Sequence, residues 1–343
     1  MLLSIYRRRK RRRPSGAAII AILICAALAY AGVLLGVRAI GNRIEGDPAA
    51  EPVGSLDGRF GTDDLKLQYA DRTWRYRKQD LTNILLIGID WESGEDEVSG
   101  RYAGQADFIG LLTMDKRNKT VSMLQVDRDT IADIRIYGPF GDYTGVQQTQ
   151  ICLSHAYGTS AAENCENTLW AVSRLLGGIP IDGYMALDMG GITALNDALG
   201  GVTVTLEDDF SALDPEMRKG ATITLRGRQA EYFVRGRMNV GDGTNASRMR
   251  RQQAFIRGAE ELIRQGMKED MNYIGKLYDA LDGHVQTDIE RGWLINRAYA
   301  CRDYQIPDVK TLAGSRAIGE DGFVEFHADA DALSDMLATE FFE

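Results

Sequence analysis

Apolar and polar positions divide the chain into stretches with different rhythms. From Ala17 to Val37 every residue is uncharged and no polar face recurs at helical spacing. Those 21 residues match the roughly 20 that a helix rising about 1.5 Å per residue needs to cross a bilayer core. A cleavable signal peptide has a shorter apolar part, about 7–15 residues, and a small-x-small cleavage site directly after it. The chain has neither, so the pattern predicts an uncleaved transmembrane helix over 17–37. From Ile44 to about Arg72 the sequence is polar and rich in Gly, Asp and Pro, which reads as a linker.

Beyond residue 80 the rhythm is that of a folded domain. NILLIGID (83–90) is a continuous apolar run, the mark of a strand covered on both faces, and its carboxyl end presents Asp90. ADFIGLLTM (106–114) and KTVSMLQV (119–126) read as two further strands joined by the turn-forming DKRN. CENTLWAVSRLLGG (165–178) spaces Leu169, Val172 and Leu176 as a helix does and stops at Gly177–Gly178. GYMALD (183–188) and GVTVTLED (201–208) read as strands, with a short helix in 190–201 between them. Helices are expected over 247–266, 270–282 and 286–301, then FVEFHAD (323–329) as an edge strand and a last helix near 330–340. Interleaving of the two periods predicts the α/β class: a three-layer sandwich with a central mixed β-sheet, preceded by one N-terminal transmembrane helix. The expected segments are 1–16 basic and cytoplasmic, 17–37 spanning, 38–79 linker, 80–265 main domain, and 266–343 a helical and edge-strand extension of it.

Charge sets the orientation. Seven consecutive basic residues, Arg7 to Arg13, precede the apolar run, whereas Arg38 and Arg43 follow it. Such asymmetry puts the N-terminus in the cytoplasm and the C-terminal domain outside the cell membrane, with the lipid bilayer as a partner. The whole chain carries a formal charge of −9. Of its 40 Lys and Arg, seven lie in the basic block, leaving 33 against 49 Asp and Glu. The exported part is therefore strongly acidic, and nucleic acid is not expected as its partner.

Of the four cysteines, Cys25 lies in the apolar run and Cys301 is alone. Cys152 and Cys165 are either a disulfide, which persists outside the cytoplasm, or two free buried thiols. His155, His284 and His327 are too scattered for a zinc site, and His155 in LSHAYG reads as a structural hydrogen-bonding residue. No nucleophile elbow, phosphate-binding P-loop or zincin motif occurs.

What remains is carboxylates and arginines. Asp90 closes one predicted strand and Asp107 opens the next. Meeting at one sheet edge, they would suit Mg²⁺ with a substrate phosphate completing the shell; solvated turn caps are the plainer alternative. VDRDT (126–130) sets Arg128 between two aspartates, where a local salt bridge is the plain alternative. VRGRMNVGDGTNASRMRRQQ (234–253) holds five arginines and no lysine. Arg235 and Arg237 share a face only if extended, since on a helix they splay by about 200°. Arg248, Arg251 and Gln252 fall at i, i+3 and i+4 on one helical face, with Arg250 pointing away. Guanidinium is suited to two-point binding of phosphate oxygens, so these groups would converge on a multiply charged anion such as pyrophosphate.

NILLIGID, ADFIGLLTM, VDRDT, SHAYG, LLGGIPIDGYMALDMGG with LGGVTVTL, and VRGR…GD…RMRRQQ occur in this order. Over about residues 80 to 265 the chain thereby resembles the LytR-CpsA-Psr domain. The resemblance implies an α/β sandwich with an apolar tunnel for a lipid tail. It implies a magnesium-dependent phosphotransferase that moves a glycopolymer, such as teichoic acid or capsule, from a polyprenyl-pyrophosphate carrier to peptidoglycan through a phosphodiester. It implies metal-associated aspartates at Asp90 and Asp107, pyrophosphate-binding arginines at Arg128, Arg235, Arg237 and Arg248, and the glutamine of the RQQ motif at Gln252. An aspartate, Asp90 or Asp107, is expected to deprotonate the acceptor hydroxyl. Three positions depart from the family pattern: Gln105 stands where arginine is common, Asp127 where proline is usual, and Cys152 where lysine is frequent. Arg101 is a candidate substitute for the missing arginine. The departures keep two other readings open, a non-catalytic or regulatory polyprenyl-phosphate-binding protein and a lipid pyrophosphatase.

Overall fold

The computed structural model describes residues 60–61, 65–90, 104–138, 141–236 and 240–343. The expected spanning helix, the basic block, Cys25, Arg101 and Arg237 lie outside the described residues. No helix among the described residues is long and apolar enough to cross a membrane.

In chain order, strands β1 (Phe60–Gly61), β2 (Lys66–Tyr69) and β3 (Arg72–Arg75) form a small antiparallel sheet. Then come β4 (Leu81–Ile89), β5 (Ala106–Asp115), β6 (Thr120–Val126) and the hairpin of β7 (Ile131–Tyr137) with β8 (Tyr143–Gln150). Helix α1 (Ala161–Leu175), β9 (Gly183–Leu187) and α2 (Met189–Ala198) follow. Next are β10 (Thr203–Thr205), β11 (Thr222–Thr224), α3 (Gln229–Arg235), α4 (Asn245–Glu269) and α5 (Tyr273–Asp279). The chain ends with β12 (Val285–Thr287), α6 (Arg291–Ala300), β13 (Lys310–Thr311), β14 (Gly314–Ile318), β15 (Val324–Ala328) and α7 (Ala330–Phe341).

The central sheet has the order β12-β9-β4-β5-β6-β13. It is mixed: β4 runs parallel to β9 and β6 parallel to β13, while β4–β5, β5–β6 and β9–β12 are antiparallel. Successive side chains of a strand point to opposite faces, and here both faces are apolar. Ile84 and Leu86 of β4 join Leu112, Val121 and Met123 in one core beneath α2 to α6. Leu85 and Ile87 join Ile109, Leu111 and Leu124 in a second core covered by α1, α7 and the β7–β8 hairpin. Helices on one side and helices plus a hairpin on the other make the expected three layers.

With both faces apolar, alternation alone sets the strand register only weakly. Buried Asn83 supplies the missing information. Its Oδ1 accepts from Thr113 Oγ1 at 2.9 Å, directly across the β4–β5 pair, while its Nδ2 donates to Tyr76 Oη and the Pro180 carbonyl, both at 2.8 Å. An unmatched buried amide costs about 1–3 kcal/mol, so a slipped register is penalised at this one position.

Several elements differ from the sequence expectation. Residues 60–75, read as linker, carry β1 to β3, and Leu67 is fully buried in the second core. The FVEFHAD segment does not edge the main sheet; it pairs with 314–318 as a separate hairpin, and β12 and β13 form the edges. These strands are two to five residues long, too short to carry a readable period. Cys152 and Cys165 are free buried thiols, so the second of the two cysteine alternatives holds.

A carboxylate–arginine network as candidate functional site

Strands β4 and β9 run parallel, with Gly88 opposite Leu187, so both send their carboxyl ends to one edge of the sheet. In open α/β sheets that edge is where ligands bind. Asp90 follows β4 there, and its N–H donates to the Gln105 carbonyl at 3.0 Å. The β4–β5 register steps from Gly88↔Phe108 to Ile89↔Ala106, so Asp107 is the extra residue of a β-bulge. A bulge re-aims a side chain and recurs beside active sites. Here it turns Asp107 toward the arginines. Gly88 makes room for the distortion, since a Cβ there would lie 2.9 Å from Phe108 Cβ.

Asp107 faces two guanidiniums: Arg128 Nη1 contacts its Oδ1, and Arg248 Nη1 donates to its Oδ2 at 2.7 Å. Arg128 also donates through Nη2 to Gln105 Oε1 at 2.5 Å and sits 3.4 Å from Asp129 Oδ1 through Nε. Arg248 lies in the first turn of α4, whose N-cap Thr244 accepts from Ser247 N–H at 3.1 Å. Its Nη2 donates to Asn245 Oδ1 at 2.6 Å. Arg235, the last residue of α3, pairs with Asp90 at 2.7 Å and with Glu231 at 3.3 Å. Arg128 and Arg248 thus share Asp107, Arg235 pairs with Asp90, and the two groups are linked through Gln105, whose carbonyl accepts from the Asp90 N–H.

The remaining expected residues divide. Arg248, Arg251 and Gln252 do share a buried face of α4, and Arg250 is exposed. Arg251, however, is spent on the protein: it pairs with Asp208 at 2.7 Å, donates to the Phe233 carbonyl at 3.0 Å and reaches the Gly236 carbonyl. Burial lowers its pKa, and Asp208 opposes that shift. Gln252 accepts from Gln125 Nε2 at 2.8 Å and donates to the Val234 carbonyl at 3.4 Å. Both residues brace α3 against α4, with their donors engaged within the protein. The extended arrangement expected at Arg235 is also corrected, because Arg235 is helical.

Sequence reasoning missed Asn245, Glu231 and Asp129. Asn245 is the joint of the network, accepting from Arg248 and donating to Asp127 Oδ1 at 2.6 Å. Its position just inside an N-cap was the available signal.

Two of the departures cluster at one arginine. Gln105 accepts from Arg128, and the Cys152 thiol lies against it, its N–H bonded to the Arg128 carbonyl at 3.1 Å. Burial raises the Cys152 pKa, outweighing Arg128, so neutral groups occupy both positions. His155 is structural, as expected. The Gly104 carbonyl can only accept, so Nδ1–H donates to it at 2.7 Å, and Nε2 then accepts from Cys165 Sγ at 3.6 Å. Burial depresses the His155 pKa to about 4, against the Gly104 bond. That bond pins the entrance of β5 just ahead of Asp107.

Could these residues hold a divalent cation? Among the described residues no group of three or more His, Cys, Asp or Glu closes around a point. Two carboxylates are nonetheless a donor set that suits Mg²⁺, which keeps waters and takes substrate phosphate oxygens. Asp90 fits best: its Oδ1 is buried and makes no well-oriented hydrogen bond, although Arg235 Nη2 is 2.7 Å away. Asp107 has both oxygens against guanidinium and fits once those arginines turn to another anion.

Fold and site together define a class of protein: an α/β sandwich that gathers arginines against two aspartates at the carboxyl edge of its sheet. The chain belongs to the LytR_cpsA_psr family, whose profile matches residues 60–340. It is 30% identical over 213 residues to the polyisoprenyl-teichoic acid–peptidoglycan teichoic acid transferase TagU of Halalkalibacterium halodurans, covering 62% of each chain. With TagU of Bacillus subtilis it shares 25% identity over 274 residues, 79% of this chain and 80% of that one. The chain thus covers less than two thirds of the length of the first of these relatives. Among solved structures, protein gbs0355 from Streptococcus agalactiae superposes with a TM-score of 0.63 at 24% identity, over 77% of this chain and 88% of that one. TagT bound to LI-WTA superposes with a TM-score of 0.57 at 20% identity, over 77% and 90%. Both likenesses are of fold.

Proposed function

We propose that the protein is a membrane-anchored extracellular transferase that moves a glycopolymer from a polyprenyl-pyrophosphate carrier to peptidoglycan through a phosphodiester. One observation carries the reading: three arginines from separate segments pair with two aspartates at one end of the sheet, Arg128 and Arg248 with Asp107 and Arg235 with Asp90. Family membership and the names of the relatives support the same chemistry.

The arginines are held in place by carboxylates before any ligand arrives. An incoming anion must outcompete those carboxylates, since breaking a buried ion pair is costly, and donors fixed around it then stabilise developing negative charge. On this reading they turn to the pyrophosphate oxygens, with Arg237 as a further donor. A hydroxyl of the acceptor sugar attacks the sugar-side phosphorus, a new P–O bond forms, and the P–O bond to the lipid phosphate breaks. The hydroxyl proton goes to Asp90 or Asp107, and polyprenyl phosphate leaves. Bound Mg²⁺, held by Asp90 and Asp107, would offset charge on the leaving phosphate and release the arginines from their carboxylate partners. Phosphoryl transfer needs mainly positioning and charge stabilisation, which is what this set of groups supplies.

A second reading, a binding-only member, is favoured by the neutral Gln105 and Cys152 beside Arg128. A lipid pyrophosphatase is the third outcome. The full-length protein, incubated with polyprenyl-pyrophosphate glycan, a glycan acceptor and Mg²⁺, with and without chelator, separates all three. Joined product supports transfer, free lipid phosphate without joining supports hydrolysis, and retained intact lipid supports binding alone.

A further inference from the structure

A second concave site lies on the other side of the VDRDT segment. Asp127, Met249, Arg250, Gln253, Arg316 and Phe326 line a groove of about 260 Å³ between α4 and the β14–β15 hairpin. Helical geometry explains why it is separate from the network above. Residues 246, 249, 250 and 253 form one i, i+3, i+4, i+7 face of α4, whereas Asn245, Arg248 and Gln252 form the neighbouring face.

The groove is built, not incidental. Arg316 is fixed twice, by an ion pair with Asp127 and by stacking over Phe326 with its guanidinium carbon 5.2 Å from the ring centroid. The hairpin itself is docked on the VDRDT segment, since Phe326 N–H donates to the Asp129 carbonyl at 2.8 Å. Arg250 stands exposed on the opposite wall. Two guanidiniums therefore face one carboxylate, above a floor of buried Met249, Leu312 and Phe326. One surplus positive charge beside an apolar floor matches a segment carrying a carboxylate next to carbon-bound hydrogens. A polyphosphate chain would call for successive cations in a polar channel. The groove also communicates with the first site, because Asp127 is bonded to Asn245 and Asn245 to Arg248.

We propose that this groove is the acceptor subsite, and that it takes a carboxylate-bearing segment of the glycan strand to be joined. The proposal rests on the transferase reading for the word acceptor. Asp127 gives the groove its latch in this chain: it stands where the family usually has proline, and it holds Arg316.

The test measures binding of a soluble disaccharide-tetrapeptide fragment of peptidoglycan to the full chain in detergent, with free and with amidated carboxylates. Arg250→Gln should weaken the free-acid fragment about tenfold, the effect of one lost charge-assisted hydrogen bond. Arg250→Glu, which reverses the charge on that exposed wall, should weaken it further. Amidation should weaken binding to the unaltered protein by a similar factor, and magnesium pyrophosphate should bind all variants as before. Thermal melts of each variant report folding. The proposal falls if the unaltered protein fails to bind the fragment or ignores amidation, or if the variants bind it normally. It also falls if the variants lose pyrophosphate or a soluble polyol-phosphate oligomer in its place. Groove-dependent fragment binding without any transfer would strike the transferase reading alone.

Discussion

Strand β5 carries a buried aspartate at each end, and the two carboxylates are satisfied in opposite ways. Asp115, at the turn into β6, has one cation, Arg77 at 2.7 Å. Its other partners belong to its own turn: the N–H groups of Arg117 and Asn118, both at 2.9 Å, and the Asn118 side chain at 2.8 Å. Burial pushes the Asp115 carboxyl up, but the Asn118 amide and the Arg77 guanidinium outweigh it and hold the group below its usual range. Asp107, at the other end, sits on a bulge and gathers guanidiniums 21 and 141 residues away in sequence. A carboxylate saturated by its own turn stabilises a fold. One that collects two long-range cations is, on the proposed reading, where another anion would bind.

The sharpest way to break this contrast is to remove a cation. Arg128→Ala and Arg248→Ala should each lower the single-turnover rate of transfer about 10²–10³-fold, the loss typical for one preorganised donor to a charged transition state. If the Asp107 end were only structural, the rate per folded molecule would not move.

The opposite substitution tests the other end. Asp115→Asn leaves the buried Arg77 without its counter-ion, and breaking one side of a buried pair costs about 3 kcal/mol or more. Urea unfolding should show that loss, while transfer per folded molecule stays the same. A fall in transfer comparable to that of Arg248→Ala would erase the distinction between the two ends.

Acid should loosen the Asp107 end through His155. Its folded pKa of about 4 lies below the unfolded value of about 6.5. Between those values the unfolded chain binds a proton that the folded chain refuses, so the stability is complete above about pH 6.5 and is lost as pH falls toward 4. At about 1.36 kcal/mol per unit, the full loss is about 3.4 kcal/mol, of which about 2 kcal/mol falls between pH 7 and pH 5. Urea midpoints at pH 7 and pH 5 should differ accordingly, and His155→Gln should flatten that limb. An unchanged slope in the variant would assign acid sensitivity to other groups.

The contrast also marks what the sequence could reveal. β4, β5, β6 and α4 were legible because long apolar runs and a 3.6-residue period leave few alternatives. That Asp90 and Asp107 lie at the same end of the sheet followed from adjacent strand ends. The bulge at Asp107 did not, because a bulge belongs to the pairing of two strands and to neither one alone. Arg248 and Arg251 show a second limit. Their spacing places both on one buried face, yet Arg248 reaches Asp107 while Arg251 is claimed by Asp208 and two carbonyls of the preceding segment. Spacing gives the face of a helix; partners brought in by the fold decide the role. Short elements such as β1, β12 and β13 gave no periodic signal, and so residues 60–75 were read as linker.

The smallest expected effect sharpens the reading of the Asp107 end. Gln105 accepts from Arg128 Nη2 at 2.5 Å and is half-buried, so it occupies a donor of that arginine with a neutral acceptor. Gln105→Arg restores the cation common in the family and removes that acceptor. Without ligand, the new guanidinium sits beside Arg128 and repels it, which at a partly solvated position costs under about 1 kcal/mol. With magnesium pyrophosphate bound, the same group adds a charge-assisted contact, and affinity should rise about fivefold, close to 1 kcal/mol. Calorimetric titration of the unaltered protein and the variant checks both parts. Tighter pyrophosphate binding with a slightly lower melting temperature fits a site whose cations are held for an anion. Lower affinity in the variant would mean that Gln105, not a missing arginine, sets the geometry of Arg128.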